Sequence, residues 1–231
     1  MHHMRTLLLG ATLAGVLLVM AARSAAAHQP YFEDDDWTVD APYTVADPTV
    51  STALYATLDS RQDVDYVTFT GQAGERVLVG LTIPQIEGQA EFAPTLALLG
   101  PGLPALALPA RIEAPPDVGG IVLTPPPGPA RPFFEPFSRT QYWERQEERF
   151  TLPADGDYVV AVWHPDGAVG RYTLVVGNRE IPGGDVAFPF KLRAFWTPVP
   201  EPAADEPAAA PTPTAPQPGR GHRCIPRYSM K

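Results

Sequence analysis

Two carboxylate groupings carry the clearest chemical potential in this chain: the run Glu33-Asp-Asp-Asp36 and the pair Asp63-Val-Asp65. Hard oxygen donors at that density suit Ca²⁺ in an extracellular setting. Neither grouping sits in a Gly-bounded EF-hand type loop, and aspartates that hydrogen-bond their own backbone in turns account for the same residues. Convergence decides between the readings. If Asp63, Asp65 and the acidic run meet, their mutual repulsion favours a bound cation; if they do not, Asp63 and Asp65 are turn residues. Two histidines offer other chemistry. Removal of a leader after Ala27 would leave His28 as an N-terminal amine plus imidazole, a copper chelate that a second histidine, His164, would complete. Covalent catalysis finds little support. There is no Gly-x-Ser-x-Gly, and the single cysteine, Cys224, lies far out in a Pro-rich tail. A Ser-His-Asp site would have to join His164 to Ser51, Ser60 or Ser138, and nothing in their local sequence supports it. A strand-end histidine at the surface is the plainer reading of His164.

The segment from Phe133 to Trp143 is the candidate binding surface. Phe133, Phe134, Phe137, Tyr142 and Trp143 crowd around Glu135, beside Arg139 and Arg145. Exposed rings with a few charged neighbours make platforms for a protein or a glycan. The competing reading is that the rings cap an open end of the domain and bury against it.

The elements that must hold these residues are strands. Val64–Thr70, Arg76–Ile83, Asp157–Trp163 and Gly170–Val176 alternate with period two, separated by turns rich in Asp, Gly and Pro. Ala53–Leu58, Thr95–Leu99, Gly120–Thr124 and Tyr142–Leu152 complete about eight strands. Val77, Val79, Leu81 and Ile83 form one apolar face. Tyr158–Trp163 is apolar on both faces, which predicts a central strand covered on both sides. Pro165-Asp-Gly suggests that this strand and the next form a hairpin. Between Gly100 and Pro136 the pattern dissolves in proline, and only Gly120–Thr124 reads as a strand; such a long excursion points to function or mobility. The expectation is an all-β fold: a single antiparallel, jelly-roll-like β-sandwich over residues 41–196. An acidic lead-in precedes it over residues 28–40.

Four stretches, Asp63-Val-Asp-Tyr-Val-Thr-Phe, Gly74-Glu-Arg-Val-Leu-Val, Gly156-Asp-Tyr-Val-Val-Ala-Val and Gly170-Arg-Tyr-Thr-Leu-Val-Val, resemble the bacterial and archaeal pre-peptidase C-terminal domain. That resemblance implies a small β-sandwich appended to secreted peptidases and other exported proteins. The Pro-rich excursion and Phe133–Trp143 depart from it, as in an exported relative with no peptidase of its own.

The termini place the domain outside the cell. Arg5, the apolar Leu7–Ala22 and the small residues Ala25–Ala27 read as a secretory leader. An uncleaved anchor is the alternative, because the apolar stretch is long and Arg23 follows it, though it falls short of the ~20 residues that span a bilayer comfortably. Residues 197–231 have too few apolar side chains to repay their own ordering and read as a disordered Pro/Ala-rich tail. The net charge of −9 becomes about −11 once Arg5 and Arg23 leave, which argues against nucleic acid and anionic lipid as partners. A non-catalytic extracellular module contacting protein or glycan follows. The alternative is an exported hydrolase or a copper-dependent enzyme using His28 and His164. N-terminal sequencing of protein recovered outside the cell should begin at His28; recovery of Met1 or Met4 in a membrane fraction would instead establish an anchor.

Overall fold

A computed structural model describes residues 28–199; residues 1–27, where the sequence suggests a leader, and residues 200–231 of the expected Pro/Ala-rich tail lie outside the described residues. The described chain is a two-sheet β-sandwich with one short helix. One sheet has six strands in the order β1 (Gln29–Phe32), β3 (Thr52–Leu58), β11 (Gly170–Val176), β5 (Arg76–Pro84), β9 (Thr140–Thr151) and β8 (Arg131–Glu135). The other has five, ordered β2 (Tyr43–Thr44), β4 (Val64–Gly71), β10 (Gly156–Trp163), β6 (Thr95–Gly100) and β7 (Gly119–Leu123). Helix α1 (Phe188–Phe195) follows β11.

All eight strands expected from alternation are present. Three short edge strands, β1, β2 and β8, add to them. Two of these are parallel to their neighbours, β1 to β3 and β2 to β4, so the sandwich is not wholly antiparallel. Proline concealed β1 and β8: Pro30 and Pro132 lack a backbone donor, and a proline strand is tolerated only at an edge. The expected β10–β11 hairpin does not form. Both edges of β10 are already taken, by β4 and β6, and the turn at His164–Gly167 carries the chain across to the opposite sheet.

The main core lies between the sheets. Val77, Val79, Leu81 and Ile83 of β5 face Val67 and Phe69 of β4 and Tyr158, Val160 and Val162 of β10, as their alternation requires. The outer faces are also apolar. Ala161 and Trp163 of β10, Tyr66 of β4 and Leu99 of β6 pack under Ile112 and Leu108 of the Pro-rich excursion. That segment is therefore a cover. It is anchored by the Glu113 N–H donating to the Tyr66 hydroxyl at 2.8 Å and by Arg111 donating to the His164 carbonyl. On the other sheet, α1 lays Phe195 on Tyr55 and Tyr142, with Phe188, Leu192 and Trp196 around it.

The lead-in is part of the same body. Gln29–Phe32 pairs along β3, Trp37 is buried in the main core, and its carbonyl accepts from the Tyr66 N–H at 2.7 Å.

Tyr158 shows how tightly the core is filled. Its ring stacks on Phe69 with centroids 5.5 Å apart, and its hydroxyl donates to the Ala154 carbonyl at 2.8 Å. A Cβ at Gly100 would lie 2.2 Å from its ring, so glycine is required there by close approach. Gly100→Ala should lower stability by about 1–3 kcal/mol through overpacking, read as a reduced melting temperature with an unchanged far-UV spectrum.

Candidate functional site

Two features of the surface have the geometry of sites. The first is acidic. The acidic run follows β1 and folds back over the ends of β3 and β4, where one carboxylate oxygen from each of Glu33, Asp36 and Asp65 lies within 4.8 Å of the other two. The convergence posed by the sequence thus occurs, for Asp65. Alternation along β4 turns Asp65 inward with Val67 and Phe69, and it is 0% exposed. Tyr172 of β11 reaches across from the other sheet and donates its hydroxyl to Asp65 Oδ2 at 2.5 Å. The Glu33 and Asp65 carboxyls hydrogen-bond to each other, and no other donor reaches Asp65 Oδ1. Glu33 is oriented by two backbone donors, Thr57 N–H at 2.8 Å and Trp37 N–H at 3.4 Å. Asp63 plays the turn role: its Oδ2 accepts from the Asp59 N–H at 2.7 Å. Asp34 points away, pairing with Lys191 of α1.

The electrostatics follow from burial. Removal from water, offset in part by the Thr57 donor, the hydrogen bond with Asp65 and the Trp37 donor and reinforced by the Asp63 charge, pushes the Glu33 carboxyl from 4.5 to about 7. Burial raises Asp63 to about 6, with the Asp36 and Asp59 charges adding to it. Asp65 is held well above the carboxylate range, first by burial and then by the charges of Glu33 and Asp63. Arg171 senses Glu33, but its guanidinium donates to Thr197 and Thr57.

The second feature is a groove of about 600 Å³ on the outer face of the six-stranded sheet, beyond the part covered by α1. Leu78, Gly80 and Thr82 of β5 form its floor, since these alternate with the core-facing residues of that strand. Arg131 and Phe133 of β8 and Glu144 and Glu147 of β9 wall one side, with Arg131 and Glu144 paired. His28, Ser51 and Asn178 stand on the other. A bulge shapes the β9 wall: between Gly80↔Glu147 and Thr82↔Glu144, Arg145 and Gln146 oppose a single residue of β5. It is held by Arg145 donating to the Phe92 carbonyl at 2.7 Å and Gln146 to the Pro94 carbonyl at 2.9 Å. A side chain at position 80 would crowd Glu147, with Cβ to Cβ at 3.2 Å.

The aromatic candidates are divided by the pleat of β9. Tyr142 is buried on the outer face beneath α1, meeting Trp196 edge-on at 5.1 Å, while Trp143 turns toward the main core. Phe137 stacks on Phe188 at 5.1 Å. Glu135 caps the β8–β9 turn, accepting from the N–H groups of Phe137 at 2.8 Å and Ser138 at 2.5 Å. Phe133 packs toward α1 and borders the groove, and Phe134, at 50% exposure, presents a ring to solvent. The rings thus largely anchor helix and turn, and the strands carrying them form the groove.

The histidines lie on different sheets. His28 shares a 2.5 Å hydrogen bond with Ser51 at the groove edge. His164 stacks on Phe92 at the end of β10, and its Nδ1 accepts from the Asp166 and Ala168 N–H groups, each at 3.2 Å. Burial disfavours its charged form.

No protein-family model matches the chain, and no curated protein matches it. Among solved structures, PliG from Aeromonas hydrophila, a periplasmic inhibitor of g-type lysozyme, is 16% identical with a TM-score of 0.33. The match covers 65% of this chain and 98% of that one. A likeness this slight carries no argument about fold or function.

The groove was missed in the sequence because its residues come from strands far apart in the chain. The acidic site left a better signal, a polar residue on a core-facing strand position. It also sets a pH dependence. A carboxyl raised in the folded state binds more protons there than in the unfolded chain, so its stability contribution is present at low pH and is lost as pH rises. For Glu33 and Asp63 the window runs from about 4 to about 7. Asp47 is shifted downward and acts in the opposite sense, but it is largely exposed and adds little. In chelator, melting temperature should fall by about 5 °C between pH 5 and pH 7.5, an effect on the order of 2 kcal/mol. Glu33→Gln should flatten the curve.

Proposed function

We propose that this chain is an exported, non-catalytic binding module that holds an extracellular protein segment or a glycan in the groove over β5 and β9. The groove itself carries the reading. It has the volume of a ligand site. Its rim mixes acidic, basic and amide side chains with one aromatic ring, which suits a polar, extended ligand. The floor is a rigid strand, and the wall is braced by the bulge contacts of Arg145 and Gln146, so the ligand meets a preformed surface. Phe133 supplies the stacking face, and Arg131, Glu144 and Glu147 supply directional hydrogen bonds.

Export rests on the leader-like sequence before His28, and the acidic character of the chain agrees with a role away from nucleic acid and anionic lipid. Among the described residues no helix is long and apolar enough to cross a membrane. His164, fixed in a turn and stacked on Phe92, supports this reading over a hydrolase or copper site built with His28.

Titration of the ¹⁵N-labelled protein with soluble peptidoglycan fragments, other oligosaccharides and peptides should perturb amides of β5, β8 and β9. Thr82→Arg, which fills the floor, should weaken binding about tenfold or more without changing the melting temperature by more than a few degrees. Binding that survives Thr82→Arg, or that maps only to Phe134 and α1, would overturn the groove as the site.

A further inference from the structure

We propose that, granted the reading of the groove as a binding site, its resting occupant is the chain's own basic segment, residues 220–231, tethered by the Pro/Ala-rich stretch before it. The chain leaves the domain beside the groove. Trp196, just past α1, meets Tyr142 of β9 edge-on at 5.1 Å, and the Thr197 carbonyl accepts from Arg171 of β11 at 2.8 Å. Tyr142 pairs with Pro84, and Glu144 with Thr82, so the exit stands one step along the pleat from the groove residues Thr82 and Glu144. Residues 200–231 lie outside the described residues. At full extension, residues 200–219 would span roughly 70 Å, more than twice the ~25 Å across a six-stranded sheet.

Charge favours this occupant. Residues 220–231 contain Arg220, Arg223, Arg227 and Lys231 and no Asp or Glu, whereas the whole chain carries −9, so the rest of it is more acidic still. In the groove, Glu144, Glu147 and Glu180 stand with Arg131 and Arg145. Arg131 is engaged by Glu144, and Arg145 is turned to the Ala90 and Phe92 carbonyls. Glu180 enters none of the ion pairs among the described residues, and Glu147 has only an exposed one with Arg149, a kind of contact worth little. Two carboxylates thus remain to receive Arg side chains, which they can bind through paired hydrogen bonds. Leu78, Val175 and Phe133 offer apolar surface to Ile225 and Tyr228 of the segment. Pro226 holds the residue before it extended, which suits a ligand laid along a groove.

Tethering makes modest affinity sufficient. A linker of this kind gives an effective concentration on the order of 1 mM, so a segment with a dissociation constant of ~10⁻⁴ M fills the groove about nine-tenths of the time. An outside ligand then binds about tenfold more weakly than it would to an empty groove, and the chain gates its own site. The rival surface is the acidic mouth beside Glu33. Its cavity is about 180 Å³ against about 600 Å³ for the groove, and it is lined by carboxylates and a threonine with no apolar floor. Burial also raises the Glu33 carboxyl to about 7, so the mouth holds less charge at neutral pH than its composition suggests.

Cys224, the single cysteine, lies within the segment, so a nitroxide attached there reports where the segment rests. In the ¹⁵N-labelled full chain it should broaden amides of β5, β8 and β9 at the groove. The broadening should weaken in about 1 M NaCl, which screens the contact, and disappear when Arg220→Glu, Arg223→Glu and Arg227→Glu are combined. Spin-labelled chains without ¹⁵N, mixed with ¹⁵N-labelled chains without nitroxide, should give none. A synthetic peptide of residues 220–231 should bind the triple variant about tenfold more tightly than the unaltered chain. Broadening confined to the acidic mouth, broadening transferred between chains in the mixture, or equal peptide affinity for both proteins would overturn the proposal. Oligosaccharide titrations that perturb the groove amides while the nitroxide leaves them sharp would keep the groove as a site and remove the segment as its occupant. Neither effect at the groove would overturn the site itself.

Discussion

Apolar surface on both faces of both sheets is the constraint from which the rest of this architecture follows. A two-layer sandwich normally leaves its outer faces to solvent, but here Tyr66, Leu99, Ala161 and Trp163 point outward from one sheet and Ala53, Tyr55 and Tyr142 from the other. Leaving that surface in water would forgo roughly 25 cal/mol for each Å². Two further layers therefore exist. The Pro-rich excursion lies over the five-stranded sheet, where proline suits a segment that must be ordered without joining a ladder. Helix α1 lies over part of the six-stranded sheet, and the part it leaves bare is the groove.

Among the buried polar side chains of the described residues, one is an acid. Asp65 occupies a position that alternation assigns to the core, and the structure arranges neighbours from both sheets and from the acidic segment around it. Tyr172 crosses between sheets to reach it, which makes the bond a link between layers as well as a polar contact. The same burial raises the Asp65 and Glu33 carboxyls, so this mouth of the sandwich holds acid groups that resist ionisation at neutral pH.

The groove and the acidic site use different devices. In the groove a glycine on β5 lowers the floor and a bulge on β9 re-aims the wall, so backbone irregularity shapes an otherwise regular sheet. The rings of Phe137 and Tyr142 hold the helix and the β8–β9 turn in position, and what they leave exposed, Phe134 and the edge of Phe133, borders solvent and groove.

Alternation alone specified eight strands, the core face of β5 and the double-sided burial of β10, because period two is a local property that any buried strand must write into its own residues. The edge strands were not legible, since β1 and β8 contain proline and β2 has only two residues. Helix α1 was missed for a related reason: it is eight residues long and carries proline at its start. The acidic residues were visible as candidates, but whether they meet is a question about two chain segments about 30 positions apart, which pairing of β1 with β3 answers. Likewise the turn after β10 reads as a hairpin until β4 and β6 are seen to occupy both its edges. Sequence determines what each strand must bury. Only the tertiary structure decides which strands are neighbours, because edge occupancy and cross-sheet contacts belong to the assembled layers and to no single segment.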